Sequence, residues 1–113
     1  MGVLVKRGAA GEMRLVNGVR ARVARNFWER ARGLIGVEEL PPGEGLLIPK
    51  CNAIHTFFMR LTIDATFLDK AGRVVKVVRN IPPGRFLVWG GWRAASVLET
   101  AAQGAQASLC EPR

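Results

Sequence analysis

A chain of 113 residues, 49% hydrophobic and 23% charged, has the composition of one ordinary folded domain. That excludes intrinsic disorder and leaves no room for two independent cores. Seventeen basic against nine acidic residues give +8 at pH 7, distributed as +6 over residues 1–36, −3 over 37–69 and +5 over 70–113, and thirteen of the basic residues are Arg, the side chain best suited to bidentate contact with phosphate or carboxylate.

Residues 1–11, with Gly2, Gly8 and Gly11, read as a flexible tail before a single β-rich domain over 12–113. The three consecutive apolar residues before Lys6 are too few for a signal-peptide core, and no segment approaches the roughly 18 apolar residues of a membrane span, so a cytoplasmic protein without membrane insertion is expected. Met13 and Leu15, then Val19, Ala21 and Val23, alternate with polar residues on either side of Asn17-Gly18 and predict a hairpin. A two-residue turn would place Arg20 and Arg22 on the face of Leu15 and Met13. A three-residue loop pairing Leu15 with Val19 keeps charge off that face and is the expected register.

Asn26 with Glu29 three residues on has the form of a capping box, and Gly36 suits the residue after a helix end. Phe27, Ala31, Leu34 and Ile35 between them form one apolar stripe, predicting a short amphipathic helix. Strands are expected at Leu46–Ile48, Ile54–Met59, Ile63–Leu68, Val74–Val78 and Ala94–Glu99, with a turn at Asp69–Gly72. The strands at 54–59 and 63–68 are expected to form a hairpin. Residues 79–93, with three Pro or Gly at 82–84, Gly90-Gly91, Phe86, Trp89 and Trp92, read as a long functional loop. The sum is an α+β domain of mainly antiparallel sheet, small and open or barrel-like, with one short helix packed on it.

The motif Glu29, Arg32-Gly33-Leu34-Ile35, the strand Gly45-Leu46-Leu47-Ile48, then Phe57-Phe58-Met59, Ile63-Asp64, Phe67-Leu68-Asp69 with Gly72 and Val74, and finally Val97-Leu98-Glu99 occur in this order over about residues 18–104. Together they resemble the bacterial and archaeal family called domain of unknown function one-nine-two. Phe58 stands where that family has Trp, Arg60-Leu61 where it has Lys-Asn, and its closing Gly-Asp is missing. The resemblance implies a compact β-rich fold with a site around the Phe-x-Met and Asp motifs, and it implies no substrate.

The one histidine, His55, and the acid Asp64 sit in strand-forming sequence, where an ionisable group needs a partner or a function. A 54–68 hairpin would bring them together, and an Asp beside an imidazole fixes its tautomer. Cys51 and His55, about 13 Å apart on a strand at ~3.3 Å per residue, are too distant to chelate one metal, and neither a metal nor another cofactor is expected. A disulfide between Cys51 and Cys110 is not expected either. Glu99, on an apolar strand, and Arg32, beside Glu29, can join the His55 and Asp64 group or form a buried ion pair. Trp89 and Trp92 either clamp a ligand or cover one end of the sheet.

The candidate ligand-binding residues are therefore His55, Asp64, Glu99, Arg32, Phe58, Trp89 and Trp92. The reading preferred is a small binding module for an unknown small molecule or protein, engaged between the 54–69 hairpin and the 79–93 loop. One alternative is a hydrolase with His55 as general base oriented by Asp64, although no Gly-x-Ser-x-Gly, phosphate loop or His-Glu-x-x-His occurs. The other is nucleic-acid or acidic-surface binding through the Arg-rich amino-terminal hairpin and helix.

Overall fold

The computed structural model describes residues 3–4 (backbone only), 13–24, 33–37 and 40–102. Among these residues nine strands form two sheets: β1 Val3–Leu4, β2 Met13–Val16, β3 Val19–Val23, β4 Glu44–Pro49, β5 Ala53–Ile54, β6 Ile63–Leu68, β7 Val74–Ile81, β8 Val88–Trp89 and β9 Ser96–Ala101. Seven of them build the main sheet in the order β1-β2-β3-β4-β9-β6-β7, and β5 pairs with β8. Among the described residues the sheet is open, β1 and β7 being its two edges, and no barrel closes. All pairings are antiparallel except β3 with β4.

A parallel pair demands a crossover connection, which here spans residues 24–43. The helix expected over 26–36 falls in that crossover. Residues 25–32 lie outside the described residues, Gly33–Gly36 form a turn, and none of the described residues is helical.

Alternation along the central strands gives the sheet two apolar faces. Leu46 and Ile48 of β4, Ile63, Ala65 and Phe67 of β6 and Val97 of β9 share the larger core with Leu34, Ile54, Met59, Ile81, Val88 and Ala94. The β5–β8 ladder and the 33–37 turn therefore pack on this face. Leu47, Leu68 and Leu98 on the opposite face join Ala21 and Val23 in a smaller cluster. Phe67, with no solvent exposure, lies so close to the backbone of residue 90 that a Cβ there would come 2.2 Å from its ring. Only glycine fits that approach.

Val3–Leu4, within the stretch read as a tail, pairs with Met13 and Arg14. Two expectations are corrected by this arrangement. The first hairpin takes the two-residue turn: Asn17 and Gly18 both have positive φ, at 51° and 82°, and Leu15 pairs with Arg20. Such a turn matches the strand twist, and Leu15 is half exposed, so this part of the hairpin has no core to protect from charge. The hairpin of 54–59 with 63–68 does not form. Strand β5 stops at Ile54 and pairs with β8, whereas β6 pairs with β7 and β9.

Thr56 explains why the strand ends there. It is fully buried, and its hydroxyl donates to the Pro82 carbonyl at 2.7 Å and accepts from the Arg85 N–H at 2.8 Å. Its own N–H donates to the Arg85 carbonyl at 2.9 Å, and its carbonyl accepts from Gly84 at 2.8 Å and Met59 at 3.3 Å. The chain is thus bent into a turn at Phe57-Phe58 and clasped to the 82–85 loop. We expect Thr56→Val, which keeps the shape and removes the hydroxyl, to destabilise the fold by about 2 kcal/mol because the Arg85 N–H and Pro82 carbonyl lose their partner. Urea denaturation measures the loss, and hydrogen exchange at Arg85 should accelerate with it.

Candidate functional site

The Phe57-Phe58 turn puts aromatic rings outside. Phe58 is 82% exposed, Phe86 75% and Leu87 58%. Phe57 lies at the centre of the group, its ring centroid 5.6 Å from His55, 6.3 Å from Phe58 and 5.9 Å from Phe86. Phe58 has a φ of 65°, a left-handed backbone that costs a bulky residue about 1–3 kcal/mol and that the clasp around Thr56 must impose. His55 is exposed and its Nδ1 accepts the Phe57 N–H at 3.2 Å, so the imidazole belongs to this turn.

Asp64 is elsewhere. It is buried on β6, where its Oδ1 accepts the Asn80 N–H at 2.9 Å and its Oδ2 lies 3.5 Å from Arg79 Nη1. The ladder explains the position: Ile63 pairs with Ile81 but Ala65 with Val78, so β7 carries a bulge at Arg79-Asn80, and Asn80 has a φ of 56°. Asp64 supplies the acceptor that the bulged N–H lacks. The hairpin expected to align His55 with Asp64 across a ladder does not form, because β5 pairs with β8 and β6 with β7 and β9.

Glu99 occupies the opposite face from Asp64. Asp64 pairs with Thr100 and Ala65 with Glu99, and neighbours on one strand point to opposite sides. The two acids cannot share one site. Glu99 is 2% exposed and its Oε1 has no hydrogen-bond partner among the described residues; a Cβ added at Gly33 would lie 3.7 Å from it. Burial pushes its pKa up to about 7. Arg32, proposed as its partner from sequence, lies outside the described residues, though the next residue, Gly33, sits by the carboxyl.

Trp89 and Trp92 meet edge to face at 5.1 Å, Trp92 being 86% exposed, and Lys76 Nζ donates to the Trp89 carbonyl at 2.7 Å. Cys51, half-buried, donates from Sγ to the Ala53 carbonyl at 3.1 Å, and Cys110 lies outside the described residues. No group of three or more His, Cys, Asp or Glu is placed to hold a metal among the described residues. Of the Arg-rich hairpin, Arg14 and Arg20 are exposed and Arg22 half-buried, while Arg25, Arg30 and Arg32 fall outside the described residues.

The structure thus brings His55, Phe58 and Phe86 of the loop before β8 around Phe57, and separates Asp64 from Glu99. Phe57 lies in the Phe-x-Met motif and Phe86 and Leu87 in the 79–93 loop, yet none of the three is among the candidate residues read from sequence. The signal available was the doublet Phe57-Phe58 itself, since two successive residues of a strand cannot both face one core.

Two outcomes are expected. Asp64→Ala should destabilise the fold by about 1–3 kcal/mol by leaving the Asn80 N–H without its acceptor, and Asp64→Asn, which keeps an acceptor oxygen, should cost less in thermal denaturation. For Glu99, the folded protein holds its proton up to about pH 7 while the unfolded chain releases it near 4.5, so the stabilisation is complete below pH 4.5 and lost as pH rises to 7. The loss amounts to about 3 kcal/mol at most. Glu99→Gln should remove that slope, measured as urea unfolding free energy at pH 5 and pH 8; parallel profiles for the two proteins would disprove the assignment.

Comparison with known proteins bears on the fold and the family. No curated protein matches the chain. A protein of unknown function from Novosphingobium aromaticivorans superposes with a TM-score of 0.71 at 22% identity, covering 98% of this chain and 78% of that one. A protein from Sinorhizobium meliloti described as a "putative transcription regulator" gives 0.71 at 19% identity, over 83% of this chain and 77% of its own. At such identities these similarities concern the fold alone. Among the described residues no helix is long and apolar enough to cross a membrane. The family model of DUF192, described as an uncharacterized ACR, matches residues 9–111, nearly the whole chain, and the protein belongs to that family.

Proposed function

We propose that this domain is a binding module whose contact surface for a protein partner is the aromatic group His55, Phe57, Phe58 and Phe86, with Leu87 beside it. The observation that carries the reading is Phe58, a bulky side chain left 82% exposed on a left-handed backbone. Apolar side chains grouped at a surface cost solubility and commonly mark an interaction site. Strain held in place by surrounding hydrogen bonds points the same way.

The clasp at Thr56 gives the surface a physical advantage. Its hydrogen bonds fix the 55–59 turn and the 82–85 loop before any partner arrives, so little backbone entropy is lost on binding. Aromatic anchors in such a setting carry most of an interface's affinity. Arg60 and Arg85, both exposed and adjacent in sequence to the turn and to Phe86, favour a partner segment whose apolar anchor is bordered by acidic residues. The reading does not require catalysis.

The test places a photo-crosslinking phenylalanine derivative at position 58 of the full chain in its native host, with the exposed Val77 position of β7 as control. We expect a discrete adduct from position 58 that falls about ten-fold when Phe86→Ala is added, with the melting temperature of the variant unchanged. The same adducts from position 77, or adducts that survive Phe86→Ala, would overturn the reading.

A further inference from the structure

At the other end of the β6 and β9 strands, the Asp69–Arg73 turn faces the segment Trp92–Ala95 across an open cleft of about 800 Å3. Its walls include Lys70, Arg73, Trp92 and Arg93, and its apolar part Val74, Val75, Ala94 and Ala95. We infer that this cleft binds nucleoside phosphates, with the base stacked on Trp92 and the phosphate held by Lys70 and Arg93. The inference is independent of the Phe58 surface and stands or falls without it.

Charge is the first argument. The lining carries Asp69 against Lys70, Arg73 and Arg93, a net of +2. The one acid is already engaged: Asp69 Oδ2 accepts Arg73 Nε at 3.1 Å, and Oδ1 accepts the N–H groups of Ala71 and Arg73, each at 2.9 Å. The Arg73 N–H is the largest cause that holds the Asp69 pKa below the usual carboxylate value. Lys70 and Arg93 have neither ion pair nor hydrogen bond from their side chains among the described residues. Two cations are therefore free to meet an anion in a cleft whose acid is occupied.

The second argument is Trp92. A side chain of this size left 86% exposed forgoes a large hydrophobic gain, yet it is not loose, because Trp89 meets it edge to face at 5.1 Å. Gly90 and Gly91 set that arrangement, the first by its approach to Phe67 and the second by a φ of 102°. An anion alone would need no such ring; a ligand joining a flat base to a phosphate uses both features.

Rigidity is the third. The Asp69 N–H donates to the Arg73 carbonyl at 2.8 Å, the Gly72 N–H to Asp69 at 2.9 Å, and the Ala95 N–H to the Leu68 carbonyl at 2.7 Å, which ties the two walls together. The cleft also falls in the size range of small-molecule sites.

The same chemistry reaches the cleft from a free nucleotide or from a single-stranded nucleic acid. Tryptophan fluorescence of the full chain, titrated at low and raised salt with ADP, inorganic pyrophosphate, a short oligothymidylate and a blunt DNA duplex, separates them. We expect saturable binding of ADP or the oligothymidylate, weakened at least about ten-fold by Trp92→Ala, largely kept by Trp92→Phe, and weakened by Arg93→Ala with a smaller salt dependence. ADP binding on a par with the oligothymidylate assigns a free nucleotide; a much tighter oligothymidylate with a steep salt slope assigns a single strand. Pyrophosphate binding as tightly as ADP, duplex binding indifferent to Trp92→Ala, or no saturable binding of any probe would each overturn the inference. Because Trp92→Ala also removes a fluorophore, calorimetric titration of the same variants supplies the affinities.

Discussion

Everything that this domain presents at its surface around residues 54–60 depends on one buried threonine. Thr56 uses its hydroxyl both as donor and as acceptor, and its backbone N–H and carbonyl as well, to hold the 82–85 loop against its own turn. Buried polar groups are stable only when satisfied, and here satisfaction requires one relative placement of two segments 26 to 29 residues apart. The β5–β8 ladder, two residues long on each side, would be a weak tie without it. With it, Ile54 and Val88 are driven into the main core while Phe57, Phe58 and Phe86 are turned outward.

The two buried acids illustrate how the sheet divides chemistry between its faces. Asp64, buried on β6, answers a local need, the N–H released by the bulge in β7. Glu99 answers none among the described residues, and burial without a partner favours its neutral form. One residue of strand register separates their faces, so neighbours in the ladder serve different surroundings. The first acid ties β6 to the bulge of β7 by a hydrogen bond, and the second makes the fold depend on pH.

The basic excess of the whole chain is not spread evenly over its aromatic surfaces. Around Phe58 the rings form a continuous group with Arg60 and Arg85 at its margins, a pattern suited to an apolar anchor. Around Trp92 a single braced ring faces Lys70 and Arg93 over an apolar wall, a pattern suited to a flat anion. Each surface takes one ring, Phe86 or Trp92, from the stretch between β7 and β9, whose hydrogen bonds to Thr56 and close approach of Gly90 to Phe67 keep it from being a loose loop.

By itself the sequence determined a β-rich, mainly antiparallel fold, the existence of most strands, the Asp69 turn and the family, because period-two alternation, turn residues and spaced motifs are local properties; the short helix it also predicted is not found among the described residues. What it left open was decided by long-range pairing. Phe, Ile and Thr at 54–59 have strand propensity, yet Thr56 gains more from the 82–85 loop than from a ladder with β6, and so His55 left Asp64 for the turn at Phe57. The register of the first hairpin was settled by the twist of its two-residue turn once the core lay elsewhere. Asp64 and Glu99 look equally available in the sequence, and only the β6–β9 register, which no local pattern encodes, sent them to opposite faces.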